Sequence, residues 1–242
     1  MSERREELAG ALAAVRGRIE RACAAAGRAP ASVRLVAVTK TFPALDAASL
    51  TDLGVRDLGE NREQEASAKV DEVRALRPDA AVRWHMVGRL QRNKARSVAR
   101  WAAEIQSVDS VRLATALDRG VAAALSAGER SDPLDVLLQL SIDGDPTRGG
   151  VARDTLSELA DHVARSGELR LRGLMAVAPL TMTPAEAFGR LAEAATRLRE
   201  DHPEATELSA GMTGDLELAI THGSTCVRVG TALLGGRGLA SP

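Results

Sequence analysis

The chain has 242 residues, 45% of them hydrophobic and 27% charged, with a formal net charge of −1. That length is enough to bury most of its apolar surface, and the balanced charge gives no electrostatic footprint for nucleic acid or an anionic membrane. There is no tyrosine, and the aromatics are limited to Phe42, Trp84, Trp101 and Phe188, which excludes a tyrosine base or a broad aromatic stacking platform.

In chain order, the first element is an amphipathic helix over about 3–27. Leu8, Leu12, Val15, Ile19 and Cys23 recur every three or four residues and make one apolar stripe. No signal-peptide stretch precedes it, and no run reaches the ~18 apolar residues a spanning helix needs. A cytoplasmic location is expected. Apolar, β-branched runs then predict strands at 33–39, 55–58, 82–87, 104–108, 134–142, 169–177, 206–209 and 225–229. Between them lie Ala/Leu/Arg/Glu-rich helical stretches, among them 62–76, 110–127, 155–165 and 184–200. Repeated strand-then-helix units predict a parallel sheet covered by helices, and eight of them in this length favour a closed (β/α)8 TIM barrel, an α/β fold. The barrel is expected over about 32–236, with the extra N-terminal helix packed on its outside, the whole forming a single domain over 1–242. Residues 144–150, Gly-Asp-Pro-Thr-Arg-Gly-Gly, read as a mobile loop after the fifth strand. Cys23 and Cys226 are expected to be small buried residues without a disulfide. The histidines have no metal-ligand companions, so no metal site is read.

In such a barrel the active face lies at the carboxyl ends of the strands. Lys40 ends the first strand, which delivers an amine to the barrel mouth. Partial desolvation there would lower its pKa and favour Schiff-base chemistry. Of the 32 Lys and Arg residues only Lys40, Lys69 and Lys94 are lysine, and a lysine retained among arginines points to chemistry that guanidinium cannot perform. Lys69, between Glu65 and Glu72, reads as an exposed helix pair, and Lys94 as the start of a basic helix able to contact an anion. The loops after strands seven and eight carry Ser209, Gly211, Thr213, Gly214, Gly230 and Thr231, residues suited to cradling a phosphate. Arg228 is on the last strand, on the same face as Cys226 and Gly230 and close to the phosphate loop, where its burial requires acceptors; the alternative role is a salt bridge to a carboxylate such as Asp215 or Glu60. Asn61 and His85 are expected to point to the mouth, His85 as a packing residue. Together these features define a site for a phosphorylated aldehyde or ketone.

Ala37-Val38-Thr39-Lys40-Thr41, Gly59-Glu60-Asn61, Trp84-His85 followed by Gly88, Leu90, Gln91, Asn93 and Lys94, Gly173-Leu174-Met175, Leu208-Ser209 with Gly211-Met212, and Val227-Arg228 with Gly230-Thr231 resemble the pyridoxal phosphate homeostasis protein family. That family is similar to the barrel domain of alanine racemases without their second domain. The resemblance implies pyridoxal 5′-phosphate bound as an imine to Lys40. Its phosphate would be held by Ser209, Gly211, Thr213, Gly214, Gly230 and Thr231, with Arg228 facing the pyridine nitrogen and Asn61 lining the pocket. It implies a carrier in cofactor homeostasis rather than an enzyme, with apo-enzymes dependent on the cofactor as candidate recipients. Two departures stand out: Thr213-Gly214 replaces Ser and a polar residue, and Arg148-Gly149-Gly150 replaces a Lys-x-Gly. An arginine at the ring nitrogen weakens carbanion stabilisation, and no tyrosine is present to serve as the opposing acid. A racemase- or lyase-like enzyme, or a sugar-phosphate aldolase, shares the lysine and the loops. A monomer is expected.

Overall fold

The computed structural model describes residues 3–145 and 148–236. The expected barrel is closed, with eight strands in sequence order: β1 (Arg34–Val38), β2 (Asp57–Glu60), β3 (Arg83–Met86), β4 (Glu104–Val108), β5 (Leu134–Gln139), β6 (Leu169–Met175), β7 (Glu207–Ser209) and β8 (Cys226–Val229). All pairings are parallel, and β8 returns to β1 in the register Arg34↔Cys226 through Ala37↔Val229. In chain order the α-helices are α1 (Glu3–Ala25), α2 (Ala44–Asp52), α3 (Glu63–Leu76), α4 (Ala95–Val98), α5 (Val111–Ser126), α6 (Leu156–Ala164), α7 (Pro184–Asp201), α8 (Leu216–Thr221) and α9 (Thr231–Leu234). The two short helices α2 and α9 are not among the helices read from the sequence. Pro146 and Thr147 of the loop expected to be mobile, and the chain ends at 1–2 and 237–242, lie outside the described residues.

Strand side chains alternate between two buried environments. On β4 every residue is buried: Ile105 joins the apolar layer under the helices, while Glu104 and Gln106 on either side of it face inward. The inward direction follows from contacts between strands that are not neighbours. Arg34 of β1 donates to Glu104 of β4 at 2.9 Å and to Glu207 of β7 at 2.5 Å, and Ser209 of β7 donates to Gln106 of β4 at 2.7 Å. Only the barrel interior connects these positions. The amino-terminal end of the barrel is therefore an ionic floor rather than an apolar plug.

His85 belongs to this floor. Its Nδ1 is 3.1 Å from Glu104 and its Nε2 is 2.9 Å from Asp57. This corrects the expectation that it points to the mouth: two carboxylates at the strands' beginnings hold it below. Both partners are carboxyl groups, which favours the charged ring with both nitrogens donating and, against the opposing effect of burial, raises its pKa above the ordinary value.

Helix α1 lies outside the barrel as expected, with Leu8, Leu12, Val15, Ile19 and Cys23 buried against α2, α8 and α9. Burying each of these larger side chains contributes about 1.5–3 kcal/mol. Helix α9 has only one turn, so it cannot cover β8 alone, and α1 fills that face. Cys23 and Cys226 are buried free thiols. Among the described residues no helix is long and apolar enough to cross a membrane.

Candidate functional site

At the carboxyl ends of β1, β2, β3 and β8 is an open cleft of about 510 Å³, lined by Lys40, Asn61, Thr213, Gly214, Arg228, Gly230 and Thr231. Apolar walls come from Val38, Phe42, Val87, Val177 and Met212. Of the residues expected here, Ser209 and Gly211 do not line the cleft. Ser209 is fully buried one step below it, where its hydroxyl accepts a 2.6 Å bond from Arg228 Nη1 and donates to Gln106. Gly211 has φ 92°, and a Cβ there would be 2.7 Å from the Cβ of Ala219, so its absent side chain lets the loop pack on α8. Its carbonyl accepts the Arg228 N–H at 2.9 Å.

Lys40 is exposed, which corrects the expected desolvation: the cleft is open to water at this point. The residue after it, Thr41, is a non-glycine residue at positive φ (66°). That conformation is rare for a β-branched residue and costs about 1–3 kcal/mol. The turn is closed by the Phe42 N–H, which donates to the Thr39 carbonyl at 3.1 Å. Gly88, also on the cleft wall, passes so close to the β2 end that a Cβ would stand 2.3 Å from the Asn61 carbonyl oxygen.

Arg228 is buried at 5% exposure. Its Nη1 donates to Ser209 and its Nη2 to the Ala176 carbonyl at 2.9 Å. Both partners are neutral, and burial pulls the guanidinium below its ordinary range despite the favourable fields of Cys226 and Asp215. The salt bridge considered from the sequence is absent: Asp215 accepts the Met212 N–H at 2.6 Å, and Glu60 is held by Lys69.

The two loops on the far side are tied together. The Ala232 N–H donates to Thr213 Oγ1 at 3.3 Å, and from outside the barrel Arg18 of α1 donates to the Thr213 carbonyl at 2.8 Å. The N–H groups of Thr213 and Gly214 have no acceptor among the described residues, so they are available to an anion. Nothing in the sequence marked Arg18, because the reach from α1 to this loop exists only once the barrel closes.

Of the remaining lysines, Lys69 sits differently from expectation. Lys69 is not an exposed helix pair: it is 8% exposed, with Nζ 2.7 Å from both the Thr39 carbonyl and Glu60 Oε1. The buried face of α3 includes Ala66, Val70 and Val73, and Lys69 falls on that stripe, a signal the sequence did carry. Lys94 ends a 3-10 turn before α4 and is 3.6 Å from Glu63.

A family model described as alanine racemase, N-terminal domain, matches residues 11–238. The pyridoxal phosphate homeostasis protein of Mycobacterium tuberculosis is 52% identical over 249 residues, covering 99% of this chain and 96% of the relative. The chain belongs to the pyridoxal phosphate homeostasis protein family. PipY of Synechococcus elongatus, solved with pyridoxal phosphate bound, has a TM-score of 0.78 at 36% identity, covering 94% of this chain and 100% of PipY. The alanine racemase of Corynebacterium glutamicum, at 13% identity and a TM-score of 0.68, covers 98% of this chain but is itself covered over 64%. That likeness is one of fold alone. The family resemblance drawn from the sequence motifs is thus borne out along nearly the whole chain.

Proposed function

We propose that this member of the family binds pyridoxal 5′-phosphate reversibly at the barrel mouth and serves as a carrier in cofactor homeostasis, without catalytic turnover. The observation that carries this reading is the arrangement of one cleft: an exposed amine at Lys40 shares it with the amides of Thr213 and Gly214, unpartnered among the described residues, and with a buried guanidinium. These residues fit the cofactor's chemistry. Lys40 would supply the amine for a reversible condensation with the aldehyde, in which a C=N bond forms and one water is released. Thr213, Gly214, Gly230 and Thr231 supply backbone and hydroxyl donors for the phosphate, and Asn61 borders the ring. Ser209 and Gly211 act from behind, orienting Arg228.

When bound, the cofactor supplies an aldehyde and a ring that accepts electrons best when its nitrogen is protonated. Arg228, if set against that nitrogen, would donate and could not accept, which would keep the nitrogen unprotonated and weaken the sink. With no tyrosine in the chain to act as an opposing acid, the site suits holding rather than transforming an amino acid. The related PipY, titled with pyridoxal phosphate bound, supports the ligand assignment. Recipients are apo-enzymes that need the cofactor, the protein acting as a cytoplasmic monomer.

The test is Lys40→Ala. Soaked with pyridoxal 5′-phosphate, the wild type shows a visible imine absorbance band. The variant loses that band and keeps weak binding by calorimetry, because the anion site does not depend on the amine. A full band in Lys40→Ala overturns the reading.

A further inference from the structure

Below the cleft, one buried ammonium holds the ends of two neighbouring strands. Lys69 Nζ donates to the Thr39 carbonyl and to Glu60 Oε1, both at 2.7 Å, and Thr39 Oγ1 donates to the same Glu60 oxygen at 2.6 Å. Thr39, Glu60 and Lys69 are all buried. Thr39 immediately precedes Lys40, and Glu60 immediately precedes Asn61, so the clamp sits one residue below two side chains that enter the cleft. The Thr39 carbonyl takes a second donor, the Phe42 N–H at 3.1 Å, which closes the turn over Lys40 and the positive-φ Thr41.

A leucine or methionine would fill this place on the apolar stripe of α3 without the desolvation that a buried ammonium suffers. What the ammonium adds is a fixed direction: it pins one carbonyl oxygen, and that oxygen anchors the strained turn. We propose that Lys69 is a positioning residue for Lys40, clamping the Thr39 carbonyl so that the Lys40–Thr41 turn keeps the conformation that presents the amine in the cleft. Lys69 transfers no proton and forms no bond; the condensation of amine and aldehyde with loss of water belongs wholly to Lys40. The inference rests on the proposed role of Lys40.

The experiment compares wild type with Lys69→Met, which keeps a stem of similar length, and with Lys69→Met/Glu60→Gln, which also removes the carboxylate left unpaired. Three quantities are measured: the rate of imine absorbance on mixing with pyridoxal 5′-phosphate, the affinity for pyridoxine 5′-phosphate, which has no aldehyde, and ligand-free amide hydrogen exchange at Phe42. Misplacing a reacting group by about 1 Å can cost on the order of a hundredfold. Both variants are therefore expected to form the imine about ten- to a hundredfold more slowly and to exchange the Phe42 amide about tenfold or more faster. Affinity for pyridoxine 5′-phosphate should stay within about twofold. Imine formation at the wild-type rate overturns the proposal. So does a parallel loss of pyridoxine 5′-phosphate affinity, or failure of both variants to fold, since either outcome assigns Lys69 to the fold as a whole. If the wild type itself gives no imine band, the proposed function fails, while Phe42 exchange still reports on the clamp.

Discussion

Replacing Glu104 by glutamine tests the ionic floor, because shape is kept and only charge is lost. Glu104 is fully buried, with one oxygen 3.1 Å from His85 Nδ1 and the other 2.9 Å from Arg34 Nη2. Burial alone would raise its pKa, but the His85 and Arg34 contacts outweigh it and hold the carboxyl at about 2, against an ordinary 4.5. At about 1.4 kcal/mol per pH unit, that gap corresponds to about 3 kcal/mol of stability at neutral pH. The figure agrees with the roughly 3–5 kcal/mol lost when one partner of a buried ion pair is removed. The sign follows from a folded-state pKa below the unfolded one: the contribution is complete above pH 4.5 and disappears as pH falls towards 2. Urea unfolding at pH 7 should therefore find Glu104→Gln about 3 kcal/mol less stable than wild type, with the difference reduced to about half near pH 3. A variant as stable as wild type at pH 7, or a difference that does not narrow in acid, would refute this account of the floor.

The same floor gives the opposite dependence at higher pH. Burial opposes the charge on His85, but its bonds to Asp57 and Glu104 prevail and raise its pKa above 6.5. Its contribution is complete below that value and is lost as pH rises through the folded-state pKa. The stability difference between wild type and His85→Gln should shrink as urea unfolding is repeated at increasing pH, and a widening difference would contradict an imidazolium. Gly88→Ala places a methyl against the Asn61 carbonyl, so a loss of about 1–3 kcal/mol in thermal unfolding is expected, along with weaker ligand binding. Arg228→Met leaves the Ala176 carbonyl unpaired but also removes a buried charge that has only neutral partners. Its ligand-free stability should change by less than about 2 kcal/mol, while the bound ligand's absorbance maximum moves and its affinity falls.

Much of the fold was legible because barrel strands are buried on both faces and read as apolar runs. The 104–108 strand matches β4 at both ends, and 134–142 overshoots β5 only where the chain leaves the sheet. Helix α2 was harder to see, since its Ala-rich turns follow Pro43 with little polar contrast. In the site, Lys40 and Asn61 were found because they directly follow the first and second strands, and Arg228 because it shares a face of the last strand with Cys226 and Gly230. Parity did not reveal depth: Ser209 shares the inward face but sits one layer lower, under Arg228. His85 was misplaced for the same reason, since facing inward puts a residue at the floor or the mouth according to its distance along the strand. The Lys69 clamp and the Arg18 bond to Thr213 depend on which elements become neighbours in the barrel, which local spacing does not express. For Lys69, however, the apolar stripe around it was a readable warning.

The central claim is tested most directly by borohydride reduction of the protein loaded with pyridoxal 5′-phosphate, followed by digestion and mass analysis. The account predicts that the reduced ring appears on the peptide bearing Lys40. Label on the Lys69 or Lys94 peptide instead, or no label at all, would contradict it.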